Sequence, residues 1–332
     1  MRRIGVTTTV PVEIILAAGG IPVDLNNMFI TSKEYAKYID TAEQYGFPKS
    51  MCAWIKGIYG ACIKNGIKEI VGVVEGDCSN TNSLVSILER NGIQVHRFGY
   101  PYDRSAKKLT ESMRSLAASL GTTLHEAEKY LPLTANAHRL GKKLDGLTVG
   151  GKVSGFENHL YLVSQSDFNS DIHSYTSELA DFIEKAEKRE KKQKEIVLGY
   201  IGVPPMTGDI YDYVESLNGL INYNEVQREF SFPRYHENEG LVDKYLNYTY
   251  PYDIDFRIKY IKEEIDARNL DGLIHYTQAF CHRAMDDINI KSEIEIPVLH
   301  IEGDKSNTLD SRTKLRIETF VDMLKDKKKL GK

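Results

Sequence analysis

The chain has 332 residues, 41% of them hydrophobic and 27% charged, with a formal net charge of −4; this is the make-up of a folded protein long enough for two domains. So small a charge offers no electrostatic footprint for nucleic acid or an anionic membrane surface, and neither is expected as a partner. The longest apolar stretch near the start, Val10 to Ala18, is interrupted by Pro11 and Glu13 and is too short for a membrane span or a signal peptide, so the expected location is the cytoplasm.

In chain order, Arg3 to Thr9 reads as a strand, and Pro11 opens a helix that Gly19 and Gly20 end. Helices are expected over Ser32–Tyr45, with Ser32 as N-cap, and over Pro48–Asn65, closed by Gly66. KEIVGVVE, Lys68 to Glu75, is a β-branched run typical of a buried parallel strand. A helix over Asn80–Arg90 and a strand over Ile93–Phe98 complete an alternating strand and helix pattern, which indicates a parallel sheet covered on both faces. Residues 105–193 carry helical periodicity without strands. The run Glu184–Glu195 mixes acidic and basic residues at helical spacing, which suits a solvated helix face better than a nucleic-acid arm. A second α/β pattern follows: a strand over Ile196–Ile201, a turn at Val203-Pro204-Pro205, a helix over Asp209–Leu217 and a strand over Asn222–Phe230. It continues with a helix over Asp253–Arg268, strands over Leu270–Thr277 and Ile296–Ile301, and a closing helix over Ser311–Leu324. The expected division is an α/β lobe over 1–104, a helical insert over 105–194 and a second α/β lobe over 195–332.

Four cysteines, Cys52, Cys62, Cys78 and Cys281, are too few for a disulfide scaffold at this length, so they are buried thiols or metal ligands. Cys78 lies just past the strand ending at Glu75, and Cys281 just past the one ending at Thr277. Open parallel sheets bind ligands beyond the carboxyl ends of their strands. Cys52 is expected in a first helical turn, where aligned amides favour a thiolate. Cys62 falls off that face and reads as a core thiol. Close CxxC pairs typical of zinc are absent, whereas a [4Fe–4S] cluster accepts dispersed thiolates, and three of them leave one iron open. A P-loop, a GxGxxG after the first strand and an HExxH motif are also absent, so ATP and nicotinamide chemistry would come from elsewhere.

These segments resemble the 2-hydroxyacyl-CoA dehydratase and benzoyl-CoA reductase family. TTTVPVEIILAAGGIPVDL is similar to its amino-terminal signature, KSMCAWIKGIYG and VVEGDCSNTNSL to its first two cysteine segments, and RIKYIKEEIDARNLDGLIHYTQAFCHRA to its third. VSGFENHLYLVSQS resembles a segment of its helical insert, and IPVLHIEGD with SRTKLRIETFVDML resembles its ending. The resemblance implies two flavodoxin- or Rossmann-like parallel-sheet lobes with a cluster at their junction. It implies a [4Fe–4S] cluster, or a larger double-cubane cluster, held by Cys52, Cys78 and Cys281. A separate ATP-dependent iron–sulfur activator is expected to inject one low-potential electron for radical dehydration or reduction of an acyl-CoA, and a homodimer or a dimer with a similar subunit is expected. The alternatives are a non-catalytic electron carrier, a double-cubane reductase of a small non-CoA substrate, and a cluster-free small-molecule binder on the same fold.

The chain departs from the family pattern at Thr7 and Thr8, where relatives often carry Cys-Ser, at Gln227, where they often carry Cys, and at Asp77-Cys78, where Cys-Asp is commoner. These departures leave the three cysteines in place and bear on the acyl group accepted. Near such a cluster Glu13 is a candidate general base, or a charge that steadies a helix start. Thr8, Ser79 and Asn80 are candidates to line the open iron, or to cap helices. His275 and His282 flank the third cysteine and read as hydrogen-bonded structural histidines.

Overall fold

A computed structural model describes residues 2–331. β1 (Arg2–Val6) leads through α1 (Val12–Ala17) to β2 (Gly20–Asp24), and α2 (Leu25–Ile30), α3 (Tyr35–Tyr45) and α4 (Ala53–Lys64) return the chain to β3 (Glu69–Glu75). α5 (Asn80–Arg90) then crosses to β4 (Gln94–Gly99). The helical stretch comprises α6 (Ala106–Leu120), α7 (Leu124–Glu128), α8 (Leu131–Val149), α9 (Gly155–Val163), 3-10 turns at Ser164–Ser166 and Phe168–Ser170, and α10 (Ile172–Glu187). Next come β5 (Ile196–Gly202), α11 (Ile210–Ser216), β6 (Gly219–Asn224), α12 (Glu225–Glu229), α13 (Leu241–Leu246) and α14 (Ile254–Arg268). The chain ends with β7 (Gly272–Gln278), a 3-10 turn at His282–Met285, α15 (Asp286–Glu293), β8 (Val298–Gly303) and α16 (Ser311–Lys329). No helix among the described residues is long and apolar enough to cross a membrane.

The chain forms two compact units. The first takes Met1–Leu140, Ser164–Leu179 and Glu229–Asp253, and the second takes Gly141–Val163, Ala180–Arg228 and Ile254–Lys332. Each contains one four-stranded parallel sheet, ordered β2-β1-β3-β4 in the first and β6-β5-β7-β8 in the second. The expected architecture of two parallel-sheet lobes with a helical stretch in the sequence between them is therefore present.

In the first unit Ile70 of β3 packs with Leu25, Ile55, Ile58, Tyr59, Leu84 and Leu88 from α2, α4 and α5. In the second, Leu198, Tyr200, Ile274 and Tyr276 pack on α11 and α16 from one face of the sheet. Ile201 and Leu273 pack on α14 and α15 from the other. Each buried Ile or Leu stabilises by roughly 1.5–3 kcal/mol, which is why these strands read as continuous apolar runs.

Several expectations need correction. Ser32 lies ahead of α3, whose N-cap is Glu34, and the charged run Glu184–Glu195 leaves the helix after Glu187. The helix expected from Pro48 begins at Ala53, so Cys52 is its N-cap and not part of its first turn. The strand β2 was hidden in what reads as a helix end; Pro22 has no amide to donate, and an edge strand tolerates that loss. The strand expected over Asn222–Phe230 is instead β6, Gly219–Asn224, followed by α12. It ends where the buried Asn224 side chain donates to Gly155 O (3.0 Å) and Asn158 Oδ1 (2.8 Å), and where Glu225 pairs with Arg257. Tertiary contacts outweigh the local β propensity there.

Candidate functional site

In the first unit's sheet the chain runs from β1 outward to β2 and then returns to the other side of β1 as β3. Ligands bind at such a reversal, beyond the carboxyl ends of the two central strands. The loop after β1 is Thr7–Pro11, and the loop after β3 is Gly76–Ser79.

The first loop is bolted along its backbone. Thr7 Oγ1 accepts the Val73 amide at 3.1 Å, and Asn26 donates to Thr7 O at 3.0 Å. Tyr100 donates its hydroxyl to Thr9 O at 2.9 Å, and Tyr248 reaches Thr9 Oγ1 at 3.4 Å. The Tyr245 hydroxyl accepts from Val12 N at 3.3 Å and lies 3.0 Å from both Val10 O and Glu13 Oε2, one of which takes its proton. Thr8, half-buried between these anchored neighbours, has a hydroxyl with no partner among the described residues.

Glu13 is fully buried in α1. Its Oε1 accepts from Lys244 Nζ at 2.5 Å and from Thr134 Oγ1 at 2.6 Å. Burial alone would push the Glu13 carboxyl up, but the charge and hydrogen bond of Lys244, with the Thr134 hydroxyl, hold it below the ordinary range. Lys244 in turn lies 3.0 Å from His138 Nε2 and 4.4 Å from the centre of the Phe232 ring. An ammonium only donates, so His138 Nε2 accepts and Nδ1 carries the proton toward Gln165 Oε1, 3.0 Å away.

The second loop needs Gly76, whose φ of +82° is left-handed and whose added Cβ would sit 2.7 Å from Tyr100 Cβ. Cys78 follows, half-buried, the third residue after the end of β3. Exposed Ser79 starts α5 without a side-chain cap, and Asn80 is that helix's first residue. Cys52, buried as the N-cap of α4, packs into the apolar cluster that Cys78 also borders. Its segment is fixed by buried Lys56, which pairs with Glu43 (2.7 Å) and donates to Lys49 O (3.2 Å). Cys62 is wholly buried with its thiol toward Ile67 O, and burial pushes that thiol up to about 12, which keeps it from forming a thiolate.

Cys281, in the second unit, is half-buried and likewise the third residue after its strand, β7. β7 occupies in its sheet the place that β3 holds in the first. α15, which follows the Cys281 loop, is tied to β7 and α14. Asp287 accepts from His275 Nδ1 at 3.0 Å, and Asp286 accepts from Arg257 at 3.2 Å. Burial, then the Arg257 charge, push His275 down to about 4, so it is neutral. His282 is exposed and opens the 3-10 turn. Phe280, next to the cysteine, has a left-handed φ of 65°, backbone strain of the kind found at functional loops.

A family model described as 2-hydroxyglutaryl-CoA dehydratase, D-component, matches residues 7–324. The chain belongs to that family. No curated protein matches it. The match takes in all four cysteines, both strand-end loops and Glu13. Among the described residues no three His, Cys, Asp or Glu side chains are gathered as they would be for a single metal ion. A cubane makes a different demand, since each thiolate binds its own iron and the sulfurs need not meet at one atom. Within the first unit, Cys52 and Cys78 are thiol donors on separate loops beside one apolar cluster, the kind of donor a cubane takes.

The interior network around Lys244 escaped the sequence reading. Glu13 and Lys244 are 231 positions apart, and nothing in KYLNYT marks the lysine as buried. The one available signal was the charge of Glu13 inside an otherwise apolar helix.

Proposed function

We propose that the chain is an iron–sulfur subunit of a 2-hydroxyacyl-CoA dehydratase type of enzyme, with Cys52, Cys78 and Cys281 as the ligands of a [4Fe–4S] cluster. The observation that carries the reading is the equivalence of Cys78 and Cys281, each the third residue beyond the equivalent strand of its sheet, in a chain of this family. Such a cluster supplies a single electron of low potential and an iron open to an outside ligand.

The chain's own residues hold the surroundings. The amides that open α4 favour the thiolate of Cys52. The hydroxyls of Thr8 and Ser79 are the groups we assign to contact the acyl thioester, since neither has a structural bond to break first. Glu13 is the fixed anion behind the Thr7–Val12 loop. Its proton-accepting strength is reduced by Lys244, so it positions that loop. The electron is assigned to a separate ATP-hydrolysing activator, because the sequence carries no P-loop, and a second, similar subunit or another copy is assigned as partner.

The test is anaerobic purification with a family activator, followed by iron and sulfide analysis of single Cys→Ala variants. We expect Cys52→Ala, Cys78→Ala and Cys281→Ala each to lose iron while Cys62→Ala keeps it. Unchanged iron in the first three, or loss only in the last, overturns the assignment. In the loaded protein, dehydration of a 2-hydroxyacyl-CoA should require activator and ATP together.

A further inference from the structure

Asp24, at the end of β2, caps α2: its Oδ1 accepts from the amide of Asn26 at 2.8 Å and from Asn26 Nδ2 at 2.7 Å, while Oδ2 accepts the Ser166 hydroxyl at 2.5 Å. Asp167 faces it. Asp167 Oδ2 accepts the amide of Asp24 itself at 2.7 Å, and Oδ1 accepts the amide of Asn169 at 3.0 Å. Both acids are buried, at 4% and 5% exposure. The groups bonded to them are hydroxyls and amides, with no cation among them. Two buried carboxylates, one of them bonded to the other residue's amide and neither paired with a cation, repel in a low-dielectric interior, so one of them keeps a proton.

The pair holds down a strained segment. Phe168, Asn169 and Ser170 follow Asp167 with φ of 53°, 51° and 65°, a left-handed turn made without glycine. L residues avoid that conformation unless their surroundings impose it. The turn is closed by the Asn169 amide on Asp167 and by the Ser170 amide on Asp167 O at 2.9 Å. The pair also reaches the candidate site. Asn26, bonded to Asp24, donates to Thr7 O at 3.0 Å, and its Oδ1 accepts the indole of Trp54 at 2.6 Å.

We propose that Asp24 and Asp167 form a proton-operated latch: a proton kept on one of the two buried carboxyls holds the left-handed turn docked on β2, and its loss loosens both the turn and the hold of Asn26 on Thr7 and Trp54. Burial, then the charge of Asp24, push Asp167 up to about 7, which puts the exchange near neutral pH. The other titratable groups facing the turn are His138 of α8 and Tyr175 of α10, whose rings lie 5.9 and 5.7 Å from the Phe168 ring. Lys244 lies beyond His138 and is paired with Glu13. The latch uses side chains of the first unit alone and does not depend on the functional reading above.

The sign follows from linkage. The folded state keeps a proton that the unfolded chain releases near the ordinary carboxylate range, so stability is highest below that range and falls as pH rises toward about 7. Trp54 is the chain's single tryptophan and reports on Asn26 directly. In the anaerobically purified full chain, Trp54 fluorescence should show a transition centred near pH 7 that Asp167→Asn abolishes and His138→Gln leaves in place. The urea midpoint of the unsubstituted chain should drop between about pH 5 and about pH 8, and that slope should flatten in Asp167→Asn. Should that variant fail to fold, carboxyl-carbon NMR of the unsubstituted chain decides, since it should show a buried aspartate titrating near neutral pH. No such aspartate, or a fluorescence transition that follows His138 instead, overturns the latch.

Discussion

Lys244 carries its charge in the interior of the first unit, wholly buried against Glu13, Thr134 and the rings of Phe232 and Tyr245. Removing one member of such a pair leaves the other charge buried and unanswered, at a cost of about 3–5 kcal/mol. We expect Lys244→Met to lower stability by that order, and Glu13→Gln/Lys244→Met to recover part of it, as read from urea unfolding. The pH response should also reverse. With Lys244 present, the lowered Glu13 carboxyl contributes stability above the ordinary carboxylate range and loses it as pH falls through the folded value. Without Lys244, burial raises that carboxyl, and stability is lost as pH rises. An unsubstituted level of stability in Lys244→Met would mean that the pair is not buried in solution. What could be read from sequence at this scale is local. Cys78 and Cys281 were found beyond their strands because a β-branched run is visible within eight residues. The carboxylate–ammonium pair left only the charge of Glu13 in an apolar helix as a local sign, and the Asp24–Asp167 pair, 143 positions apart, left none.

Helices α3 and α4 cross at glycine. Gly57 lies against the Phe29 ring of α2, where a Cβ would be 2.4 Å from it, and Gly60 lies against Tyr38 of α3, where a Cβ would be 2.1 Å from the backbone carbonyl. Backbone cannot rotate away as a side chain can, so Gly60→Ala must push the helices apart. Overpacking of this kind costs typically 1–3 kcal/mol, and backbone against backbone belongs at the upper end, above the roughly 1 kcal/mol of helix propensity that alanine gains over glycine. The substitution should therefore destabilise the protein. Because α4 begins at the N-cap Cys52, it should also raise the reactivity of that buried thiol toward an alkylating reagent in native conditions; a faster-folding, equally protected variant would refute the packing argument. The core strands were legible as elements because burial on both faces forces continuous apolar runs. The edge strands β4 and β8 were legible as well, while β2 was missed and β6 was misplaced. β2 and β6 are both sheet edges, where pairing on one side tolerates Pro22 and the polar end of β6, and their sequences carry fewer strand signals. The N-cap position of Cys52 was missed for a similar reason, since Pro48 is an acceptable helix start and only the Lys56 tether shows that the chain turns there first.

At the scale of the whole chain, membership in the two units does not follow sequence order. Residues 229–253 come after two strands of the second sheet yet belong to the first unit. Periodicity cannot reveal this, because it reports which face of an element is buried and not which partner buries it. The segment supplies Lys244 to Glu13, Tyr245 to Val10 and Val12, and Tyr248 to Thr9. A fragment of residues 1–194 would retain the whole first sheet and still lose all of these. Glu13 would keep its desolvated position without a cation, the Thr7–Val12 backbone would lose two of its hydroxyl contacts, and the Thr9 hydroxyl would lose a third. Each unsatisfied buried group costs about 1–3 kcal/mol, with more for a charge, against a total stability of about 5–15 kcal/mol for a domain. We therefore expect residues 1–194 alone to show no cooperative urea transition by circular dichroism. The same fragment joined through a flexible glycine–serine linker to residues 229–253 should regain one. Within that fusion, Lys244→Met should weaken the transition more than a substitution at an exposed position of the added segment such as Asp243→Asn. If residues 1–194 unfold cooperatively at the same urea concentration as the fusion, the returning segment is an ornament on a self-sufficient sheet, and the anchoring of the Thr7–Val12 loop must come from β1 and β3 themselves.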